Sequence, residues 1–444
     1  MNLPPAPSVD PFVLSGQADR LRPAGRPTRR RFLANSALSA GAVLLSRSPL
    51  LAGIAGVGET DHFWYRLAPK DGPYIDTQRG SQAFGIGAGE ILYSDDNART
   101  WRHRAAFAES GNITFSSILG SGNIVFATRT KIYLSTDRLR TYRELTVKDR
   151  HGRDYRPHSP KNPALPGSYF YSLDGVHTFD VAGREMLIWG NYCNVRRGPV
   201  PVNIYYSTDQ GATVKIAYSF GRNPFFQEKG TAPAALLGDS DNPVLCRHVH
   251  SVSYNPAENA VYACTGDIDR GQGHGKECHW LRGTYDAAAD AWDWKVRVSS
   301  DANSRYKSGG INFVDGLLYW VADANGPKAP QEAYDRGIFR CHPKDLAEPK
   351  KHTRIFDAKY ELAVMTIDRG VIVVPEYGNA NPCDTGFIFS PDLGRTWGQY
   401  DLKEFGDRSG VRVNPRNSEG WFRLCLREKW MNRAEVLFIK PKSS

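Results

Sequence analysis

The chain has 444 residues, 41% of them hydrophobic and 23% charged, a globular composition that argues against both a disordered chain and a multi-span membrane protein. Its 57 Lys and Arg against 47 Asp and Glu give a formal charge of +10, yet residues 1–50 alone hold seven arginines and two acids, so the remainder carries only +5. No basic block lies beyond position 50 and no nucleic-acid-binding signature is present, so DNA or RNA is not the expected partner.

The first expected feature is an address. Thr28-Arg29-Arg30-Arg31-Phe32-Leu33-Ala34 runs into a small, apolar stretch from Ser36 to Leu45. It resembles a bacterial twin-arginine export signal, with Ala34 where Lys is usual and Gly53-Ile54-Ala55 supplying small residues for cleavage. The stretch is interrupted by Arg47 and is too short to span a membrane. The resemblance implies a division into residues 1–57, export signal and disordered N-terminus, and 58–444, the folded domain, in a periplasmic or secreted bacterial protein. That compartment permits disulfides, although seven cysteines leave at least one outside any pairing.

Next in chain order, four segments share one pattern: Ser94 to Trp101, Ser135 to Tyr142, Ser207 to Val214 and Ser390 to Trp397. Each has Ser, Asp two residues on and Thr four further, and each follows a short apolar run such as Ile91-Leu92-Tyr93 or Phe387-Ile388-Phe389. Ser and Asp side chains bond back to turn amides and Gly supplies positive φ, so each segment is expected to be a hairpin turn. Two copies depart at the glycine position, with Ala98 and Leu139. The pattern resembles the Asp-box, or bacterial neuraminidase repeat, which implies an all-β fold: a single sialidase-like β-propeller with Asp-box hairpins.

Ser94 and Ser135 are 41 residues apart, the length of one four-stranded blade, while Ser135 and Ser207 are 72 apart, one blade plus an insertion. Paired apolar runs then recur around Asn255 to Asn259, Asp315-Gly316 and Asp368-Arg369-Gly370, and the chain ends on the runs 421–424 and 436–438. Six or seven blades are expected, with seven favoured.

Chemistry must come from loops at one end of such a scaffold. Tyr65-Arg66-Leu67-Ala68-Pro69 loosely resembles the early arginine motif of sialidases, but the rest of that set is absent. His158 and His177 stand 19 residues apart in the long insertion, and Asn191 and Asn194 flank an aromatic at the end of a strand. The densest cluster spans 246–279: Cys246, Arg247, His248, His250, Cys264, His274, Cys278 and His279. Alternation places His248 and His250 on one strand face. Thiols and imidazoles are the ligands zinc prefers, so a structural Zn²⁺ on Cys264, His274, Cys278 and His279, with Cys246 and His248 as alternates, is weighed against a disulfide. No organic cofactor is expected. Further on, Arg305, Tyr306 and Lys307 precede a strand, and Asn325 sits in a turn.

The order of two early histidines followed by a Cys/His cluster is similar to the propeller polysaccharide lyases of the ulvan and rhamnose–glucuronate types. That resemblance implies β-elimination next to a uronic acid, with an acidic polysaccharide or oligosaccharide as partner. His177 or His158 would be the base, Tyr306 the acid, and Arg222, Arg247 or His250 would neutralise the carboxylate. Asn191, Asn194, Arg305, Lys307 and Asn325 would contact sugar. Two other readings stay open: a sialidase-like glycoside hydrolase using two carboxylates among Asp174, Asp267 and Asp323, and a propeller that only binds glycan or protein.

Overall fold

Short runs of β-branched and aromatic residues, each cut by a turn rich in Gly, Asp and Asn, fold here as seven consecutive antiparallel sheets. The structure, a computed structural model, describes residues 48–49, 57–68, 72–155, 169–181, 183–192, 201–222, 238–266, 276–301, 304–323, 335–358, 361–362, 364–377, 386–402, 408–428 and 432–442. The sheets form blades 1 (74–106), 2 (115–145), 3 (177–219), 4 (248–300), 5 (311–356), 6 (361–401) and 7 (408–441) of a β-propeller, and the seven-bladed count is the one the sequence favours. Within each blade the strands follow chain order, and the first strands of neighbouring blades pack together around the axis. Among the described residues no helix is long and apolar enough to cross a membrane.

Three pairings are not local: Ser48–Pro49 adds in parallel to Tyr400–Asp401 of blade 6, and two more join distant parts of the chain. Phe63–Leu67 becomes the outer strand of blade 7, with Phe63 opposite Pro441 and Leu67 opposite Leu437, so the start of the domain closes the ring on its end. The 72-residue interval contains more than a loop. Val147–Lys148 and Asp154–Tyr155 form a small hairpin whose first strand adds in parallel to Val214–Lys215, widening blade 3 to six strands.

The four Ser-x-Asp segments each connect the third and fourth strands of a blade, in blades 1, 2, 3 and 6. In the first, the Ser94 hydroxyl donates to Asp96 at 2.7 Å and accepts from the Ala98 amide at 3.0 Å. The Asp96 carboxylate takes the Thr100 amide at 2.9 Å and the Thr100 hydroxyl at 2.6 Å. The serine bond recurs at Leu139, Gly211 and Gly394, at 2.9, 3.1 and 2.8 Å. The residue receiving it has positive φ every time: 60° at Ala98, 64° at Leu139, 81° at Gly211 and 85° at Gly394.

Blades 2, 3 and 4 share one apolar core around Phe115, Trp189, Tyr205 and Val249. Each such side chain contributes about 1.5–3 kcal/mol by leaving water. At the seam between blades 3 and 4, Gly190 is obligatory. A Cβ there would lie 2.3 Å from Val249. This close approach lets the Val249 amide donate to the Asn191 carbonyl at 3.0 Å, which fixes the histidines on either side of Val249.

Candidate functional site

In an antiparallel blade, the connections between strands two and three and on to the next blade lie at one end, opposite the Ser-x-Asp turns. That end is where inner strands begin, at His177, His248 and Ile311, and where second strands finish, before Asn191, Asp323 and the 267–277 connection. Most of the candidate residues therefore gather at one mouth of the axial channel.

His248 and His250 do meet. The pairing of 248–255 with 260–266 slips between Val249 and Ser251, and the two imidazoles approach at Nε2–Nε2 3.0 Å. His250 Nδ1 lies 3.2 Å from Asp323 Oδ2, and Lys307 Nζ stands 3.7 Å from the same oxygen. Tyr192 stacks on His248 with centroids 3.8 Å apart. All four charged or ionisable members are buried, so they form the floor of the mouth and hold blades 4 and 5 together. In that position neither His250 nor Lys307 is placed to reach a substrate carboxylate.

His177 is different. Its side chain is 38% exposed, and Nε2 sits 3.1 Å from Asp174 Oδ2. Asp174 is itself fixed: the Ser251 hydroxyl donates to its Oδ2 at 2.7 Å, while the Ser172 hydroxyl, which gives its proton to the Gly175 carbonyl, lies 3.3 Å from Oδ1. The imidazole also lies parallel to Phe179, with centroids 5.9 Å apart. A half-exposed imidazole beside an anchored carboxylate, with its Nε2 buried against that carboxylate, is a candidate for proton transfer.

The segment carrying Asp174 crosses the mouth. The Tyr169 amide donates to the Arg129 carbonyl and the Thr114 hydroxyl to the Phe170 carbonyl, both at 2.8 Å, which ties it to blade 2. Leu173 packs with Tyr192 and with Val364 of blade 6. Arg412, on the inner strand of blade 7, donates from Nη2 to the Ser172 carbonyl at 2.7 Å. Its side chain runs under Gly175, where a Cβ would come 3.5 Å from Arg412 Cδ. Sequence reading missed Arg412, which sits inside an ordinary strand run, and no local signal marks it.

Several expected site residues are committed elsewhere. Tyr306 is 7% exposed, its hydroxyl donates to the Leu346 carbonyl at 2.8 Å, and burial pushes its pKa up to about 12, so it is a core tyrosine of blade 5 rather than an acid at the mouth. Asn191 is used on both sides, donating to the Pro201 carbonyl at 3.0 Å and accepting from the Asn203 amide at 2.6 Å. Arg305 pairs with Asp335 at 2.6 Å and lies over Phe339. Arg222 is exposed beyond blade 3, with a long 3.4 Å contact to the Gly238 carbonyl. Arg247 is half-buried directly before His248. His158, Asn194, Asp267, His274 and Asn325 lie outside the described residues.

The zinc set separates into two parts. Cys264 and Cys278 are adjacent and buried. Burial pushes the Cys264 thiol up, whereas the hydrogen bond from Cys264 pulls Cys278 down. His279 points the other way. Its Nδ1 meets the Ser299 hydroxyl at 2.8 Å and Nε2 the Leu245 carbonyl at 3.0 Å, while burial lowers its pKa. Cys246 lies in the core shared by blades 2 to 4. Among the described residues, no group of three or more His, Cys, Asp or Glu is placed to hold a metal. Of the expected ligands, Cys264 and Cys278 stand together and His279 is turned away from them.

No family model matches the chain, and no curated protein matches it. Solved structures similar to it include YCF48 from Cyanidioschyzon merolae, at 13% identity and TM-score 0.46 over 85% of this chain and 98% of that one. The extracellular domain of the hybrid two component system BT3049 from B. thetaiotaomicron has 12% identity and TM-score 0.46, covering 85% of this chain and 41% of its own. An α-L-arabinanase from Penicillium chrysogenum, solved with arabinobiose, has 12% identity and TM-score 0.39 over 74% of this chain and 93% of that one.

Proposed function

We propose that the protein is an exported, Asp-box-type propeller enzyme that degrades a uronate-containing polysaccharide by β-elimination at the channel mouth. The observation that carries this reading is the His177–Asp174 pair: a half-exposed imidazole whose Nε2 lies 3.1 Å from a carboxylate that the Ser251 hydroxyl holds in place. His177 would take the C5 proton of the uronate. The C5–H electron pair would form the C4=C5 double bond, the C4–O bond would break, and the leaving oxygen would be protonated by water. Arg247, beside His248 at the same mouth, is the group proposed to neutralise the uronate carboxylate. His158 remains the alternative base, and Cys264 and Cys278 would contribute two thiolates to a structural zinc ion completed by His274 and a further ligand. Metal analysis of the folded protein tests that site, and metal-free folded protein would end it.

The decisive experiment incubates the purified protein with a panel of uronate polysaccharides and follows the ultraviolet absorbance of unsaturated product. Absorbance that rises with wild type and falls about 100-fold or more with His177→Ala is the expected result. New reducing ends without absorbance would replace the lyase by a hydrolase, and neither signal on a broad panel would leave a glycan-binding propeller.

A further inference from the structure

Far from the inner strands, the outer strands of blades 3 and 4 enclose a groove of about 680 Å³ on the flank of the propeller. That volume is in the range of sites that hold small molecules or a few sugar rings. Four aromatic rings follow one another along it. Tyr206 meets Trp292 edge-on at 5.6 Å, Trp292 stacks on Trp294 at 5.2 Å, and Trp294 meets Tyr218 at 5.7 Å.

The rings are held rigidly. Trp294 donates from Nε1 to the Ala217 carbonyl at 3.1 Å. One face of its indole rests on Gly283, where a Cβ would come within 2.7 Å of three ring carbons. Tyr206 donates to Asp290 at 2.9 Å, and Tyr285 does so at 2.7 Å. The glycine lets an indole lie flat on the sheet, so it acts as a fixed platform.

The groove is lined by four carboxylates, Asp149, Asp239, Asp241 and Asp290, and two cations, Arg150 and Lys215, and most of these charges are paired. Arg150 pairs with Asp239 at 3.0 Å, Lys215 pairs with Asp290, and Asp149 is taken by Arg153 at 2.8 Å. Asp241 is left with the Ser240 hydroxyl at 3.1 Å and stands exposed at the rim. A strongly charged ligand would have to compete with these internal pairs, and a purely apolar one would leave the polar rim unused. A neutral sugar chain satisfies both, with C–H faces against the indoles and hydroxyls toward the carboxylates.

We propose that this groove is a second glycan-binding site, selective for neutral oligosaccharide segments and separate from the channel mouth. It would hold neutral stretches of a polymer whatever chemistry occurs at His177.

The test titrates the full protein with neutral tetrasaccharides of glucose, xylose and galactose, with tetragalacturonate and with a proline-rich peptide, reading tryptophan fluorescence and calorimetry. At least one neutral tetrasaccharide should bind and shift the fluorescence. Trp292→Ala and Asp241→Ala should each weaken that binding about tenfold, and His177→Ala should leave it unchanged. Because Trp292→Ala removes packing area, Asp241→Ala, at the rim, decides the matter if the tryptophan variant does not fold. The proposal is overturned if no neutral tetrasaccharide binds, if only the peptide or tetragalacturonate does, or if Asp241→Ala binds as wild type does. Loss of polysaccharide cleavage in His177→Ala with this binding intact separates the groove from the proposed active site.

Discussion

Ala98 and Leu139 occupy the turn position that Gly211 and Gly394 fill in the other two copies, and both adopt the left-handed conformation there. A left-handed L-residue costs about 1–2 kcal/mol, and what each side chain returns decides the outcome of removing it. Ala98 is half-buried and returns one methyl. Leu139 is fully buried in the core cluster that also holds Phe107, Phe126 and Tyr133. Ala98→Gly should therefore stabilise the protein by about 0.5–1 kcal/mol. Leu139→Gly should destabilise it by about 3 kcal/mol despite relieving the same strain. Urea unfolding of the two variants checks this pair, and equal effects of the same sign would refute the account. The site was only partly legible at this scale. The proximity of His177 to Asp174 is legible because the two lie three residues apart in one insertion. Tyr306 and Asn191 misled because their polar atoms are consumed by Leu346, Pro201 and Asn203, partners that only the folded blades bring near.

At the scale of the element, hairpins whose turn chemistry is local were readable. The paired runs 311–314 and 317–320 became the strands Ile311–Val314 and Leu317–Val321 around Asp315, whose φ is 50°, followed by Gly316. Pairings that depend on distant sequence were not, and the ring closure is the clearest case. Phe63–Leu67 covers the edge of Asn432–Pro441 and inserts Phe63 among Phe387, Phe389 and Tyr400, with centroids 4.6–5.7 Å away. A sheet edge left open exposes unpaired amides and, here, an aromatic cluster as well. A chain begun at residue 71 should lose its cooperative unfolding transition and aggregate, whereas one begun at residue 57 should unfold as the full chain does. Supplying a peptide of residues 57–68 should restore cooperativity to the shorter chain. Calorimetry with light scattering measures all three, and a cooperative transition in the shorter chain without peptide would show that the strand is dispensable.

At the scale of the whole molecule, a propeller has few contacts across its axis, because each blade packs on its two neighbours. The segment 169–175 departs from that rule by touching blades 2, 4, 6 and 7, and Arg412 is its bond to blade 7. Losing that bond leaves the Ser172 carbonyl short of a buried donor, a cost of about 1–3 kcal/mol. The Ser172 hydroxyl donates to the Gly175 carbonyl, two residues before His177, so the loosening should pass directly to the His177–Asp174 pair. Arg412→Met keeps most of the side-chain volume while removing the donor. It should raise amide hydrogen exchange across 169–178 without changing the exchange of blade 5, whose strands make none of these bonds. It should also lower kcat on a uronate polymer more than it raises KM, since the dyad, rather than the path the polymer follows, is what becomes less fixed. Arg412→Lys, which keeps a charge but cannot place a guanidinium nitrogen against the Ser172 carbonyl, should fall between wild type and Met. If exchange rises evenly across all seven blades, Arg412 is a general packing residue and the segment is not a cross-axis tie. If it rises only in 169–178, the axis of this propeller is held by the same strap that carries Asp174 to His177.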